Sequence, residues 1–368
     1  MRKAKEKIDE AKFSHVDSVT EKIITNATSL SVDISDTTTT IDFKDLSIRD
    51  GRICLHQEKI PFRLKGKGSK RLISIAIQIE LARMGGIILI DEVEQGLEPD
   101  RAQHLVKTLK NLGAGQVFIS SHSRDVLVEL QAENLFLMKQ GETSLRTFNS
   151  DLQGCLRKNP EAFFARKIIV CEGATEIGFC RGLNDHRISV GSENVSFRGV
   201  RFTDGSGTSM IDYVKSFVQS GFDVCLLCDS DVPNINGKKQ ELIDLGVLVV
   251  DCELGYSTEQ QVFMDLPWAA VAKLIDYQKN KDDFSSIKDA VNDQFRKRYN
   301  ILPDANWDTV EVSGIRETLG LVAKDKKWFK RIDFGEFLGQ ISCENRLQMN
   351  SKRLNKMIND LSTWIDNG

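Results

Sequence analysis

The stretch that decides the fold is Ile168-Ile-Val-Cys171-Glu172-Gly173-Ala-Thr175-Glu176. Its first four residues are apolar and favour β structure, which predicts a buried strand of a parallel sheet. Gly173 allows a sharp turn after that strand, and a helix that starts near Thr175 places Glu176 on its first turn. Because ligands of open α/β sheets collect at the carboxyl ends of the strands, we expect Glu172 and Glu176 to face a functional site.

A second apolar strand with acids at its end follows later in the chain. The run Val224–Cys228 leads into Asp229-Ser230-Asp231, and acids at positions i and i+2 after a strand can point the same way. Four carboxylates that converge on one sheet edge form the hard-oxygen environment that magnesium prefers. Either motif alone is also compatible with solvated loop residues or helix N-caps. The two together, each after an apolar strand, favour a metal site.

A strand followed by EGxTE, paired with a strand followed by DxD, resembles a Toprim domain. That domain is the metal-dependent phosphoryl-transfer module of primases, type II topoisomerases and certain nucleases. The resemblance implies that Glu172 is the first acid, acting as general base or metal ligand. It implies that Asp229 and Asp231 are the metal-holding pair.

Overall composition is ordinary for a globular protein and identifies no ligand. The chain has 368 residues, enough for two or three domains, with 40% hydrophobic and 28% charged residues. The net charge of -3 gives no whole-chain signal for nucleic acid, so local basic clusters must provide any DNA contact. No apolar run is long enough for a membrane helix or a signal peptide, and we expect a cytoplasmic protein without membrane contact.

The cysteines do not predict a disulfide framework. There are eight, and several fall in or beside predicted strands. Cys225 and Cys228 have the spacing of a zinc site, but they lie inside an apolar strand and no second Cys or His pair accompanies them. We therefore expect buried, reduced thiols.

A group of nucleotide-binding patterns precedes the Toprim-like region. Gly66, Gly68, Ser69 and Lys70 stand at the predicted N-terminus of an apolar helix, where backbone N–H groups, the helix dipole and side-chain charge can hold a phosphate. That helix is apolar nearly all round and is predicted to be buried. A glycine-rich loop of this kind is a weak signal by itself.

The motifs that follow are more specific because of their order. Ile87–Ile90 is an aliphatic strand capped by Asp91-Glu92, the Walker B pattern. A helix beginning near Glu98-Pro99 and a strand ending at Ser120-Ser-His122 come next. Together these patterns resemble the second half of an ABC-type ATPase.

The ABC-type resemblance implies a role for each nucleotide-site residue. The loop with Ser69 would contact the γ-phosphate bound by a partner subunit, and Asp91 would support magnesium. Glu92 would be the general base, and His122 the switch histidine that senses the γ-phosphate. Taken alone, His122 is more typical of a histidine bonded to backbone at a strand end, and only its place in this order of motifs favours the switch role.

The phosphate-binding loop that normally precedes these motifs is missing. No G-x-x-x-x-G-K-[ST] occurs anywhere in the sequence. We therefore expect only the later half of the ATPase here, either because the chain is truncated at its N-terminus or because another polypeptide supplies the rest. ATP would bind only with a supplied P-loop, and we expect no ATP hydrolysis by this chain alone.

Two features in the last third of the chain could add to the site. Thr258 suits a helix N-cap with Glu259 in the first turn, where an acid complements the helix dipole. Residues 324–331 combine five basic residues with Trp328 and Phe329. This cluster is either a solvated helix face or a patch facing a phosphate, in which Lys330, ahead of Lys327, would stabilise charge.

An ABC-type ATPase half fused to a Toprim domain and a helical tail resembles the OLD (overcoming lysogenization defect) nucleases, relatives of the Gabija nuclease subunit. The resemblance implies an α/β fold with three parts: residues 1–150, the partial ATPase; 166–268, the Toprim core; and 269–368, a helical extension. It implies a nuclease that uses two Mg²⁺ or Mn²⁺ ions to cleave DNA and that acts in anti-phage defence. The implied ion ligands are Glu172, Glu176, Asp229, Asp231 and Glu259.

The resemblance also implies a homo-oligomer, formed through the ATPase lobe, and a helicase-like partner. Three other classes of protein stay open. A topoisomerase or primase also uses a Toprim domain, although a topoisomerase needs a separate DNA-binding domain with an active-site tyrosine, which is not visible here. The chain could instead be a non-catalytic sensor or interaction subunit from a split gene, or a pure ATPase regulator that takes its P-loop from a partner.

Overall fold

The computed structural model describes residues 14–34, 36–42, 52–57, 60–82, 85–112, 115–138 and 143–367. The chain divides into two compact units, Met1–Leu130 and Gln131–Gly368, and the fold is mixed α/β as predicted. The dipeptide Asp50-Gly51 predicts a hairpin-type turn, and it lies outside the described residues. No described helix has the length and apolar character that crossing a membrane requires.

The first unit contains an antiparallel sheet of order β1-β2-β3 and a parallel pair, β4-β5. The polar run Thr37–Thr40, which by sequence predicts either a polar loop or an edge strand, lies in an edge strand, β1 (Thr37–Asp42). The alternation of Leu30, Val32 and Ile34 predicts a strand, but these residues form none: they follow a helix as a turn, in which Val32 N–H donates to Ala27 O. The elements are α1 Ser14–Ser29, β1 Thr37–Asp42, β2 Arg52–Gln57, β3 Ile60–Pro61, α2 Lys67–Ala82, β4 Ile87–Ile90, α3 Pro99–Lys110, β5 Gln116–Ile119 and α4 Arg124–Leu127.

The parallel pair of the first unit is buried on one face only. Ile88 and Ile90 of β4 point into the core, whereas Ile87 and Leu89 are 63% and 69% exposed and Phe118 of β5 is 53% exposed. Helix α2, predicted to be apolar all round and buried, also packs with one face, since Leu81 is 77% exposed. Apolar periodicity identified the helix but could not show that one of its sides is exposed among the described residues.

The second unit is built on a parallel sheet of order β11-β10-β8-β9. Strands and helices alternate along most of this unit, as expected for a parallel sheet whose strands are joined by helical crossovers. Its elements are β6 Phe136–Leu137, β7 Arg146–Thr147, α5 Gln153–Lys158, β8 Lys167–Cys171, α6 Ala174–Ser189, β9 Val200–Asp204, α7 Met210–Gln219, β10 Asp223–Cys228, α8 Pro233–Asn236, α9 Lys239–Asp244, β11 Leu248–Asp251, α10 Thr258–Asp265, α11 Trp268–Lys279, α12 Phe284–Tyr299, α13 Ile315–Asp325, α14 Ile332–Glu344 and α15 Arg353–Asp366.

The central strands of this sheet are covered on both faces. All five residues of β8 are buried, and so are the last five of β10. This is the expected consequence of a parallel sheet with helices on either side, and it explains why both strands read as uninterrupted apolar runs. Seven cysteines are free and buried, in agreement with the prediction of reduced core thiols: Cys155, Cys171, Cys180, Cys225, Cys228, Cys252 and Cys343.

Helices α6 and α14 cross at backbone contact, which brings the chain before α14 to the start of α6. A Cβ added to Gly178 would lie 2.3 Å from Ile332 O, and one added to Gly339 would lie 2.3 Å from Phe179 O. Only glycine fits at such distances. The crossing therefore fixes residues 330–331, just before α14, relative to Glu176 in the first turn of α6.

Candidate active site

All four strands of the parallel sheet lead into an acid at the same edge. Strands β9 and β11 end at Asp204 and Asp251, and strands β8 and β10 are followed directly by Glu172 and Asp229. Strands β8 and β10 are neighbours in register, with Cys171 opposite Leu227. The two predicted motifs therefore lie side by side at the carboxyl edge, as the sequence led us to expect.

A direct hydrogen bond connects the two motifs. Asp229 N–H donates to Glu172 Oε2 at 3.0 Å. Asp229 itself is buried, and its Oδ1 accepts from both the N–H and the hydroxyl of Thr258, at 2.7 and 2.8 Å. One carboxylate oxygen of Asp229 is thus fixed by the start of helix α10.

Glu176 lies in the first turn of α6 and is fully buried. Its Oε2 accepts from Gly173 N–H at 3.0 Å, which is the N3-to-N-cap half of a capping box. Its Oε1 is buried and accepts no hydrogen bond from the described residues. A buried carboxylate oxygen without a donor is costly, and this one faces other carboxylates, so it is suited to an external ligand.

Glu259 joins the cluster from helix α10. It is fully buried and accepts from Thr175 Oγ1 at 3.2 Å and from Ser257 Oγ at 2.9 Å. The N-cap of α10 is Ser257, one residue before the predicted Thr258. Ser257 forms the capping box with Gln260, while the Thr258 hydroxyl is used by Asp229, so the predicted cap position was wrong by one residue.

Burial and mutual repulsion raise the pKa of two of these acids. The pKa of Glu176 rises to about 8, through burial first and then the carboxylates of Asp229 and Glu259. The pKa of Asp229 rises to about 7, through burial and then Glu259 and Glu172. The acids are therefore close enough to oppose one another's ionisation. Such a cluster is stabilised by added positive charge.

Two lysines of the basic cluster supply part of that charge. Lys330 Nζ lies 3.9 Å from Glu259 Oε1, and Lys324 Nζ lies 2.6 Å from Asp231 Oδ2. Burial by itself would lower the pKa of Lys330, but the carboxylates of the cluster outweigh burial and raise it. Lys327 is exposed with φ of 58°, on the surface of the preceding turn.

The first unit brings its predicted residues together around a different acid pair. Asp91 Oδ1 accepts from Ser120 Oγ at 2.5 Å, and Glu92 N–H donates to the same hydroxyl at 2.8 Å. His122 N–H donates to Glu94 Oε1 at 2.7 Å. The Walker-B-like strand and the strand ending in histidine are therefore joined through Ser120, which sequence reasoning had not selected.

The glycine-rich segment of the first unit opens helix α2. Gly66 precedes that helix, and Gly68, Ser69 and Lys70 form its first turn. A Cβ on Gly68 would lie 2.7 Å from Gly96 O, so this position requires glycine. A cleft of about 500 Å³ lies beside this turn, and its lining residues are Lys67, Lys70, Arg71, Gln95 and Gly96.

Comparison with known families finds two domains in this order. Residues 36–129 match the family described as "AAA domain, putative AbiEii toxin, Type IV TA system". Residues 163–231 match the family described as "Overcoming lysogenization defect protein-like, TOPRIM domain". The chain matches an ATPase–Toprim fusion of the OLD type. A search of curated proteins found no match.

The Toprim match supports the identity of the acid-bearing sheet. Glu172, Glu176, Asp229 and Asp231 lie inside the matched residues, whereas Glu259 and Lys330 lie beyond them. Toprim domains generally bind divalent metals, and an ATPase domain followed by an OLD-like Toprim domain suggests a nuclease. The AAA match implies nucleotide binding by the first unit.

The donor chemistry of the Toprim acids fits a divalent ion, although their present placement does not form a cage. No three His, Cys, Asp or Glu side chains of the described ranges are arranged so that they could hold a metal ion. Several oxygens are instead engaged by Thr258, Ser257 and Lys324. Glu176 Oε1 and Asp231 Oδ1 are buried and accept no hydrogen bond from described residues. Hard carboxylate oxygens of this kind suit Mg²⁺ or Mn²⁺.

Sequence reasoning missed three residues at the Toprim edge. Asp251 ends β11 and could have been found by applying the same strand-then-acid rule to the fourth strand. Lys239 and Arg353 both bind Asp251. Neither carries a local sequence signal, because their partner is reached only through the tertiary fold.

Proposed function

We propose that the chain is a metal-dependent DNA endonuclease of the cytoplasm, acting in anti-phage defence. Its Toprim domain would hydrolyse phosphodiester bonds with two divalent ions, under the control of the ABC-type ATPase unit. The observation that carries this proposal is the buried cluster of acids at the carboxyl edge of the Toprim sheet, faced by Lys330. A cluster that opposes its own ionisation favours cationic ligands, and the basic residues beside it favour a polyanionic substrate.

The proposed ligands of the ions are Glu172, Glu176, Asp229, Asp231 and Glu259. When bound, the ions would supply Lewis-acid activation of the attacking water and neutralisation of the leaving oxygen. Lys324 would release Asp231 when that acid takes up an ion, since the lysine now occupies its Oδ2.

Glu172 and Lys330 are the proposed catalytic side chains. Glu172 would accept the proton of the water that attacks phosphorus while the bond to the leaving oxygen breaks. Lys330 would stabilise the negative charge that develops on the scissile phosphate. Its raised pKa keeps the amine protonated, and the carboxylates beside it hold it at the site.

The first unit is proposed to regulate cleavage rather than to hydrolyse ATP alone. Gly66, Gly68, Ser69 and Lys70 would face the γ-phosphate, with Asp91, Glu92 and His122 in the roles stated above. A bound nucleotide needs a P-loop from elsewhere, since the sequence has none. Dimerisation through this unit and a helicase-like partner are further parts of the proposal.

A second candidate function is a non-catalytic subunit that acts as a sensor or interaction module. One observation favours it: Ile87, Leu89 and Phe118 form an uncovered apolar face on the β4-β5 pair. Parallel sheets are normally covered on both faces, so this face is suited to another α/β segment.

Cleavage of supercoiled plasmid tests the nuclease proposal. The chain is incubated with Mg²⁺ or Mn²⁺ and compared with Glu172→Ala and Asp229→Ala. Asp223→Ala is the matched control, because Asp223 is exposed at the start of strand β10, whereas Asp229 follows the other end of that strand. We expect cleavage by the wild type and the control, and a loss of roughly a hundredfold or more in the other two. A folded wild type that cleaves with neither metal would favour the non-catalytic subunit.

A further inference from the structure

The loop that carries Asp229 and Asp231 rests on a buried lysine from helix α9. Lys239 is 8% exposed, and its Nζ donates to Asp229 O at 3.1 Å, to Ser230 Oγ at 2.8 Å and to Asp251 Oδ2 at 2.8 Å. These contacts use all three hydrogens of the ammonium group. Lys239 therefore contacts the loop through a backbone carbonyl and a hydroxyl, and none of its hydrogen bonds goes to the carboxylate of Asp229 or Asp231.

Asp251 connects this lysine to the C-terminal helix. Arg353 Nε donates to Asp251 O at 2.8 Å, and Arg353 Nη2 donates to Asp251 Oδ1. One carboxylate at the end of β11 thus bridges two cations from distant parts of the chain. Because burying a lysine costs several kcal/mol unless it is paired, the pairing with Asp251 makes the buried position of Lys239 possible.

Ser230, the residue between the two acids, is held from further directions. Its hydroxyl donates to Cys252 O at 2.8 Å, and its N–H donates to Tyr256 O at 2.9 Å. Its carbonyl accepts from Gly255 N–H at 2.9 Å and from Asn236 Nδ2 at 2.8 Å. The centre of the loop is therefore immobilised, while the acids on either side of it are left to face the site.

We propose that Lys239 is a positioning residue of the Toprim site: it holds the Asp229-Ser230-Asp231 backbone so that both carboxylates are aimed at a divalent ion. This inference rests on the proposed function, since it assumes that these acids bind metal. Partners that orient metal ligands from behind typically change metal affinity 10–100-fold when removed. Asp251 and Arg353 support the lysine and act through it.

Two variants separate positioning from simple charge pairing. Lys239→Met keeps the length of the side chain but removes all three donors and leaves Asp251 with Arg353 alone. The double variant Lys239→Met/Asp251→Asn also removes the charge left behind, so its stability should recover. If Lys239 only neutralises Asp251, metal affinity recovers as well. If Lys239 positions the loop, metal affinity stays weak.

Binding of Mn²⁺ to the full chain is measured through the electron paramagnetic resonance signal of the Mn²⁺ that stays free. Thermal unfolding of each variant is measured in parallel. Lys215→Met is the matched control. Lys215 forms an exposed ion pair with Glu241, which lies on α9 as Lys239 does, and Lys215 Nζ is 2.6 Å from Glu241 Oε1. We expect about a tenfold or larger rise in the Mn²⁺ dissociation constant for Lys239→Met and for the double variant, and no change for Lys215→Met.

The outcomes distinguish this inference from the proposed function. Wild-type affinity in a folded Lys239→Met, or in the double variant, overturns the inference and leaves the nuclease proposal intact. Absence of Mn²⁺ binding by the wild type overturns both. Wild-type Mn²⁺ binding without DNA cleavage refutes the nuclease proposal, whereas weakened binding in both Lys239 variants still supports the positioning role.

Discussion

The two units place similar local patterns in very different surroundings. Each has an apolar parallel strand that ends in acids: β4 before Asp91, and β10 before Asp229. Strand β10 is buried on both faces, and Asp229 is 6% exposed, whereas β4 has one uncovered face and Asp91 is exposed. The same sequence pattern therefore produces an enclosed acid cluster in one unit and an open acid pair in the other.

The difference shows that enclosure, more than motif, decides the chemistry of an acid. In the second unit, helices α6 and α10 bring Glu176 and Glu259 over the strand ends, and burial raises the pKa of Glu176 and Asp229. In the first unit, the acids bind Ser120 and Gln95 beside solvent. The Toprim edge is thus the place where the proposed cations would gain most from binding.

Core substitutions give the largest expected contrast between the units. Ile169→Ala in β8 removes a fully buried side chain and should lower the free energy of unfolding by about 2–5 kcal/mol. Leu89→Ala in β4 removes a side chain that is 69% exposed, and the free energy of unfolding should change by no more than about 0.5 kcal/mol. Chemical denaturation followed by circular dichroism measures both. Equal losses would contradict the uncovered face of the first unit.

Removal of Lys330 should have the next largest effect. Lys330→Met is expected to reduce plasmid cleavage about 10–100-fold, because it removes the cation that faces the buried acids. Lys327→Met is the control, since Lys327 is exposed on the neighbouring turn. Cleavage rates at saturating Mn²⁺ provide the comparison. A larger loss in the Lys327 variant would transfer the proposed role to that lysine.

The smallest effect is a dependence of stability on pH in the metal-free chain. The pKa of Glu176 rises from 4.5 to about 8 on folding, and that of Asp229 from 3.8 to about 7. The folded chain therefore binds more protons than the unfolded chain in this interval, and stability falls as pH rises from about 4 to about 8.

Thermal unfolding between about pH 5 and about pH 9 measures this dependence. Across that range, the midpoint temperature of unfolding should fall by a few degrees more in the metal-free wild type than in Glu176→Gln. The variant falls less because it lacks the titration of Glu176. Saturating Mn²⁺ should reduce the fall, because metal binding replaces the protons. Identical profiles for the wild type and Glu176→Gln would show that Glu176 ionises normally in the folded chain.

Local sequence patterns predicted the parts of the fold that depend on neighbouring residues. Strands β8 and β10 were recognised from their apolar runs, and the positions of Glu172 and Asp229 followed from the ends of those strands. The N-cap of α10 was misplaced because Ser257 and Thr258 are each followed three residues later by a glutamine, so both fit the capping-box pattern. The structure separates them through the bond from Thr258 to Asp229, which joins residues far apart in the chain.

The supporting shell of the site could not be predicted in this way. Arg353 donates a hydrogen bond to Asp251, which lies 102 positions away in the sequence. No local sequence pattern distinguishes Lys239 from other lysines of the chain. Similarly, nothing in the sequence of Ile87–Ile90 distinguishes a strand covered on one face from one covered on both. These features arise from tertiary packing, which local periodicity does not record.

We propose above all that the enclosed acids of the Toprim domain, and not the open pair of the first unit, form the divalent-metal centre. Anomalous diffraction at the manganese edge from crystals grown with Mn²⁺ and without nucleotide tests it most directly. We expect anomalous peaks among the Toprim acids and none beside Asp91 or Glu92; these acids are Glu172, Glu176, Asp229, Asp231 and Glu259. Peaks confined to the first unit, with an empty Toprim edge, would contradict it.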